Sequence, residues 1–121
     1  MLVAGSLPPL EGSYNTKGTM IEEEIEAGYE VVIENLKDHV DFFIAETLGS
    51  IKEAIGAGRA LRRFAPSKKF FISWSTLDSG TIRNGESVSD AVRTVEADDR
   101  IGAFGYMLNC GPPENYREML T

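Results

Sequence analysis

An α/β fold with parallel strands is predicted for this chain of 121 residues, and three observations carry the expectation. Four short apolar runs, Leu2-Val3-Ala4 and residues 40–45, 70–75 and 101–108, alternate with stretches of helical periodicity. The runs are continuously apolar, as expected of strands covered on both faces. Glu46, Asp78 and Cys110, each just past a run, follow one another at even intervals of about one strand–helix–strand unit.

The elements follow in order. After the first run, Ile21, Ile25, Gly28, Val32 and Leu36 share one helical face and predict a single helix over residues 21–36. Its opposite face carries Glu22, Glu23, Glu26 and Glu30. After the second run, Ser50 with Glu53 three residues on has the signature of a capping box. The helix it opens would turn Ile51, Ala54, Ile55, Gly58 and Leu61 inward. A third helix starts at Ser87-Val88-Ser89-Asp90 and runs through Ala91, Val92 and Val95. Pro112-Pro113-Glu114 opens a fourth, since proline is tolerated in a first turn. Strict alternation implies right-handed crossovers between parallel strands. Two architectures satisfy it: a small, open, doubly wound sheet, or part of a (β/α)8 (TIM) barrel of about 250 residues. A chain that starts in a strand and stops early in a helix favours the partial barrel, with about four parallel strands.

Composition narrows the function. The chain carries 12 Lys and Arg against 19 Asp and Glu, a net charge of −7. That balance argues against nucleic acid as a partner, because phosphate binding asks for a basic face. No apolar run approaches the length of a membrane span, so no membrane association is expected. A single cysteine, Cys110, cannot form an internal disulfide and points to the reducing cytoplasm. The basic stretch Arg59, Arg62, Arg63, Lys68 and Lys69 fits a helix end and its dipole better than a binding patch.

In parallel α/β folds, chemistry gathers beyond the carboxyl ends of the strands. Those four exits read Gly5-Ser6-Leu7-Pro8-Pro9, Glu46-Thr47, Thr76-Leu77-Asp78-Ser79-Gly80 and Asn109-Cys110-Gly111. Polar or ionisable residues stand at all four. Cys110 can be a metal ligand or nucleophile, or a small buried apolar residue. Glu46 can hold a substrate ammonium or act as acid or base, or accept hydrogen bonds within its own loop. Asp78 fits an Asx-turn in a turn-rich stretch. His39, the one histidine, falls at the opposite strand end, so no Cys/His or Ser/His/Asp constellation can be built.

Taken in series, the exits resemble the homocysteine S-methyltransferase family. The matching stretches are Ala4-Gly5-Ser6-Leu7-Pro8-Pro9 with Gly12-Ser13-Tyr14, Asp41-Phe42-Phe43-Ile44-Ala45-Glu46-Thr47, Phe71-Ile72-Ser73-Trp74-Ser75, and Gly105-Tyr106-Met107-Leu108-Asn109-Cys110. Leu77-Asp78, Gly80 and Asn84-Gly85-Glu86-Ser87 add smaller matches. The resemblance implies a (β/α)8 barrel that moves a methyl group from S-methylmethionine, S-adenosylmethionine or betaine to the thiolate of homocysteine, giving methionine. It implies Zn2+ held by three cysteines, with Cys110 as the first. It implies homocysteine binding by Glu46, and a supporting part in that binding for Asn109. The Gly-Gly-Cys-Cys segment that brings the family's other two ligands has no counterpart here. Residues 1–121 thus read as a partial homocysteine-binding domain: the middle strands of the barrel, without the first two and the last two. Such a chain is expected not to hold zinc tightly and to be inactive unless a complementary segment completes it. The alternatives are a truncated, non-catalytic half-barrel that associates with another chain through its open side, and a small metal-free α/β enzyme using Glu46 and Asp78.

Overall fold

The computed structural model describes residues 1–119. Its elements run β1 (Ala4–Leu7), α1 (Glu22–Gly28), α2 (Glu30–Leu36), β2 (Phe42–Leu48), α3 (Ile51–Phe64), β3 (Lys69–Ser75), α4 (Val88–Glu96), β4 (Gly105–Asn109) and α5 (Pro113–Met119). The strands form one parallel sheet in the order β1-β2-β3-β4. A doubly wound sheet reverses its strand order and takes helices on both faces. Here the order never reverses. Leu7, Phe43, Ala45, Phe70, Ile72 and Trp74 are buried on the side where α1, α3 and α4 pack. Phe42, Ile44 and Phe71, on the other side, stay half-buried. The molecule is therefore the wall of a barrel over four consecutive strands, and the doubly wound alternative is set aside.

The helical side is close-packed because α3 is lined with small residues. Ala54, Gly56, Ala57, Gly58, Ala60 and Leu61 are all buried. A Cβ at Gly56 would stand 2.5 Å from Ile25, and one at Gly58 2.7 Å from Ile101, so neighbouring elements rest directly on the α3 backbone. The forward half of the expected capping box is present, with Ser50 Oγ accepting from the Glu53 amide at 3.1 Å, while Glu53 Oε1 reaches back to the Gly49 amide at 3.3 Å in place of that of Ser50. Burial pushes the Glu53 carboxyl above its ordinary range.

Four element boundaries differ from the sequence expectation. β2, expected over 40–45, runs Phe42–Leu48 and takes in Glu46 and Thr47. The predicted helix over 21–36 is two helices, broken at Tyr29. Gly28 is a weak helix former, and Tyr29 turns inward to donate from its hydroxyl to the Pro8 carbonyl at 2.6 Å. The buried line is accordingly Ile25, Tyr29 and Ile33, while Ile21 and Val32 are exposed. β1 lies later than Leu2-Val3-Ala4: Leu2 and Val3 are exposed and Leu7 is the core residue, which puts Ser6 inside the strand. β4 starts at Gly105 and not at Ile101. Gly102, at φ +69°, turns the chain, so Ile101 enters the core from a loop.

Candidate functional site

The carboxyl rim is where local conformation becomes costly. Among the described residues, three that are not glycine have left-handed φ: Tyr14 at 65°, Thr47 at 58° and Cys110 at 57°. Thr47 lies near the carboxyl end of β2, Cys110 follows β4 directly, and Tyr14 lies in the loop after β1. Such conformations cost on the order of 1–3 kcal/mol each and cluster at functional sites.

Glu46 and Thr47 occupy an irregularity in β2, where pairing with β3 shifts register between Ala45 and Leu48. A bulge re-aims side chains. Here it brings the Glu46 carboxylate onto β1, where Oε1 accepts from Ser6 Oγ at 2.5 Å. Ser6 is exposed and Glu46 half-buried, so the carboxylate keeps free acceptor capacity at the mouth of the sheet.

Cys110 immediately follows β4 and is exposed. This overturns the alternative of a small buried apolar residue. Its Sγ lies 3.1 Å from the Tyr14 hydroxyl, across the whole width of the sheet from β1. That contact with the thiol raises the Tyr14 phenol above its ordinary value. The Arg83 guanidinium stacks on the other part of the arrangement, 4.7 Å from the Tyr14 ring centre. A Cβ on Gly111, the next residue, would fall 1.9 Å from Thr76 Oγ1, so the chain needs glycine to pass here.

Asn109 ends β4 with its Nδ2 donating to Ser73 Oγ at 2.9 Å, while its backbone carbonyl accepts from the Thr76 amide at 3.0 Å. Its Oδ1 is buried without a partner among the described residues. A buried acceptor left open in this way is expensive unless something donates to it.

The loop after β3 carries structure. Leu77 and Gly80 close a turn around Asp78, with the Gly80 amide on the Leu77 carbonyl at 3.1 Å. Glu86 Oε1 accepts from the Ile51 amide at 2.9 Å, fastening this loop to the start of α3. Sequence reasoning did not single out Arg83 or Ser73, and it read Tyr14 only as part of a matching segment. No local pattern announces Arg83. Its placement depends on the loop's hydrogen bonds, the Arg83 amide to Ser75 and the Asn84 amide to Gly49, both at 3.0 Å.

Zinc requires about four ligands, three or more from protein. Among the described residues no group of three His, Cys, Asp or Glu side chains could hold a metal ion. Cys110 alone does not make a site, so these residues by themselves do not fit a complete zinc centre.

A barrel wall with thiol, carboxylate and amide side chains gathered on its carboxyl rim defines the class: an α/β barrel protein with a polar site at the strand exits. The family is more specific. The homocysteine S-methyltransferase profile matches residues 1–121, and the chain belongs to that family. Two solved structures of the homocysteine methyltransferase MmuM from Escherichia coli are similar to it. The metallated form is 27% identical with a TM-score of 0.79, and the apo form is 26% identical with a TM-score of 0.75. Each match covers 95% of this chain and 41% of the other, so the chain spans about two fifths of the length of these relatives. No curated protein sequence matches it.

Proposed function

We propose that residues 1–121 are the central part of a zinc-dependent homocysteine S-methyltransferase: four consecutive barrel strands, without the first and the last ones, forming part of a homocysteine-binding domain. The observation that carries the reading is the family match over the chain together with Cys110 and Glu46 standing exposed or half-exposed on one rim. The metallated state of the similar MmuM structure supports a metal in the site.

Each residue then has a task. Glu46, held at its outer oxygen by Ser6, takes the ammonium of homocysteine through a charge-assisted hydrogen bond. Asn109, fixed by Ser73, offers its open Oδ1 as an acceptor to the same amino acid. Cys110 supplies one thiolate ligand, and further ligands come from residues other than those described. Zinc, when bound, keeps an acceptor sulfur deprotonated near neutral pH. The methyl donor would be S-methylmethionine, S-adenosylmethionine or betaine, in the cytoplasm. Holding acceptor and donor in one geometry contributes much of the rate in such transfers.

The test is a graft: these residues replace the corresponding segment of MmuM, and methionine formation from homocysteine is followed with each donor. Turnover is expected with Zn2+ and at least one donor. Cys110→Ala should lower it by about a thousandfold or more, and Glu46→Gln should raise KM for homocysteine by about tenfold. A folded graft that binds zinc yet methylates no homocysteine would overturn the reading. A second reading, association with another chain, has its own observation. The sheet face away from the helices exposes Phe104 and Met107, and the outer edges of β1 and β4 are unpaired among the described residues. Concentration-dependent dimers in sedimentation, with no zinc retained, would favour it.

A further inference from the structure

We infer that Arg83 is a carboxylate-binding residue of this rim, reading the carboxylate of an amino-acid substrate brought to Cys110. The inference rests on the reading of the site as one for amino-acid substrates. Arg83 is a cation beside the thiol, because its guanidinium lies on the ring of Tyr14, whose hydroxyl touches Cys110 Sγ. Among the described residues, Arg59, Arg63, Arg93 and Arg100 each pair with a carboxylate, and Arg83 forms no such pair. Its Nε is buried and finds no acceptor among the described residues, so the two outer nitrogens are the donors that a ligand would meet. In a chain of net charge −7, a carboxylate approaching the thiol is otherwise repelled. Guanidinium is the group whose planar fork matches a carboxylate with two parallel hydrogen bonds. Contact with the Tyr14 ring, 4.7 Å from its centre, limits the side-chain freedom lost on binding. Homocysteine and the amino-acid or betaine methyl donors all carry a carboxylate, so the chemistry is shared and the source is a matter for the test.

Cys110 is the one cysteine of the chain and is exposed, which makes its alkylation a clean reporter. Iodoacetate and iodoacetamide undergo the same step: the thiolate sulfur displaces iodide and forms a carbon–sulfur bond. They differ in carrying a carboxylate or a neutral amide. The ratio of their rates cancels any change in thiolate fraction or exposure. We expect Arg83→Gln to lower the iodoacetate-to-iodoacetamide ratio about fivefold at low salt, with the effect fading as salt rises. Arg83→Lys should retain most of the ratio, and Arg62→Gln, a distant charge control, should leave it unchanged. An Arg83→Gln ratio equal to wild type, or an equal fall in Arg62→Gln, would overturn the inference. L-methionine stands in for the acceptor and S-methylmethionine for the donor. The one that slows iodoacetate labelling in wild type but not in Arg83→Gln identifies the source, and protection by neither overturns the assignment to these substrates. Neither alkylating agent depends on methyl transfer, so failure here and failure of the methyltransferase graft are separate results.

Discussion

The amino end of the sheet and its carboxyl rim are built on opposite terms. At the amino end charges are matched. Arg59 donates from Nε to Asp98 Oδ2 at 2.8 Å with the two side chains only 16% and 12% exposed, and Lys68 Nζ donates to the Val40 carbonyl at 2.8 Å. Asp41 exchanges hydrogen bonds with Val3, its carboxylate accepting from the Val3 amide and its own amide donating to the Val3 carbonyl, both at 2.7 Å. At the carboxyl rim the described residues include three strained backbones, two buried polar atoms without partners and an exposed thiol. One end spends its interactions on holding the fold. The other keeps interactions open, which is what a binding site needs.

The contrast can be broken from the stable side first. Phe43→Ala removes a fully buried ring between sheet and helices and should cost about 4 kcal/mol, read from the urea midpoint. Arg59→Met should cost about 3 kcal/mol, because it leaves Asp98 nearly buried without its cation. This pair also sets a pH dependence. Burial works against ionised Asp98, but the Arg100 amide and the Arg59 guanidinium outweigh it and hold the carboxyl below its ordinary 3.8. A carboxyl lowered by folding contributes stability above its unfolded value and loses it as pH falls through the folded one. Wild type should therefore lose stability as pH drops below about 4, and Arg59→Met should lose less over the same range.

The rim sharpens the comparison with smaller effects of another sign. Thr47 is β-branched at φ 58°, and among the described residues no hydrogen bond of its side chain offsets that. Thr47→Gly should raise stability by about 0.5–1 kcal/mol, the relief of strain exceeding the entropy cost of glycine. A loss of more than that amount would show that Thr47 holds the bulge together and is not strained for function. Cys110→Ala should change the urea midpoint least, by about 0.5 kcal/mol or less, as expected for an exposed side chain. Equal losses for Cys110→Ala and Arg59→Met would erase the distinction between the two ends.

Periodicity made the sheet and most helices legible. Ser50 caps its helix where the sequence places it, and the helix read as starting at Ser87-Val88-Ser89-Asp90 starts there with Ser87 as its cap, because a cap is a local device written in adjacent residues. The break at Tyr29 was not legible, since it depends on a carbonyl at Pro8 that only the folded chain brings near. The same holds for β4, where Ile101 looks like a strand residue and is a core residue in a loop. At the site, the exits put Glu46, Asn109 and Cys110 on one rim, as expected for strand ends. The partners that give them orientation, Ser6, Ser73 and Tyr14, fall in the matching stretches, but nothing in the sequence says which of them meets which site residue across the sheet. Arg83 was read as nothing in particular, because a single arginine in a turn has no signature until its ring partner is known.

The lone tryptophan has a practical meaning. Trp74 is fully buried, donates from Nε1 to the Ser50 carbonyl at 3.2 Å, and stacks on Tyr106 with ring centres 5.8 Å apart and planes within 9°. Its indole thus joins three strangers in sequence: the carboxyl end of β3, the cap of α3 and the outer strand β4. Excited alone, it is a built-in optical gauge of whether that outer strand is seated. A shift of its emission toward the red, before any loss of helix signal, would mark β4 peeling from the wall while the rest of the molecule stays folded.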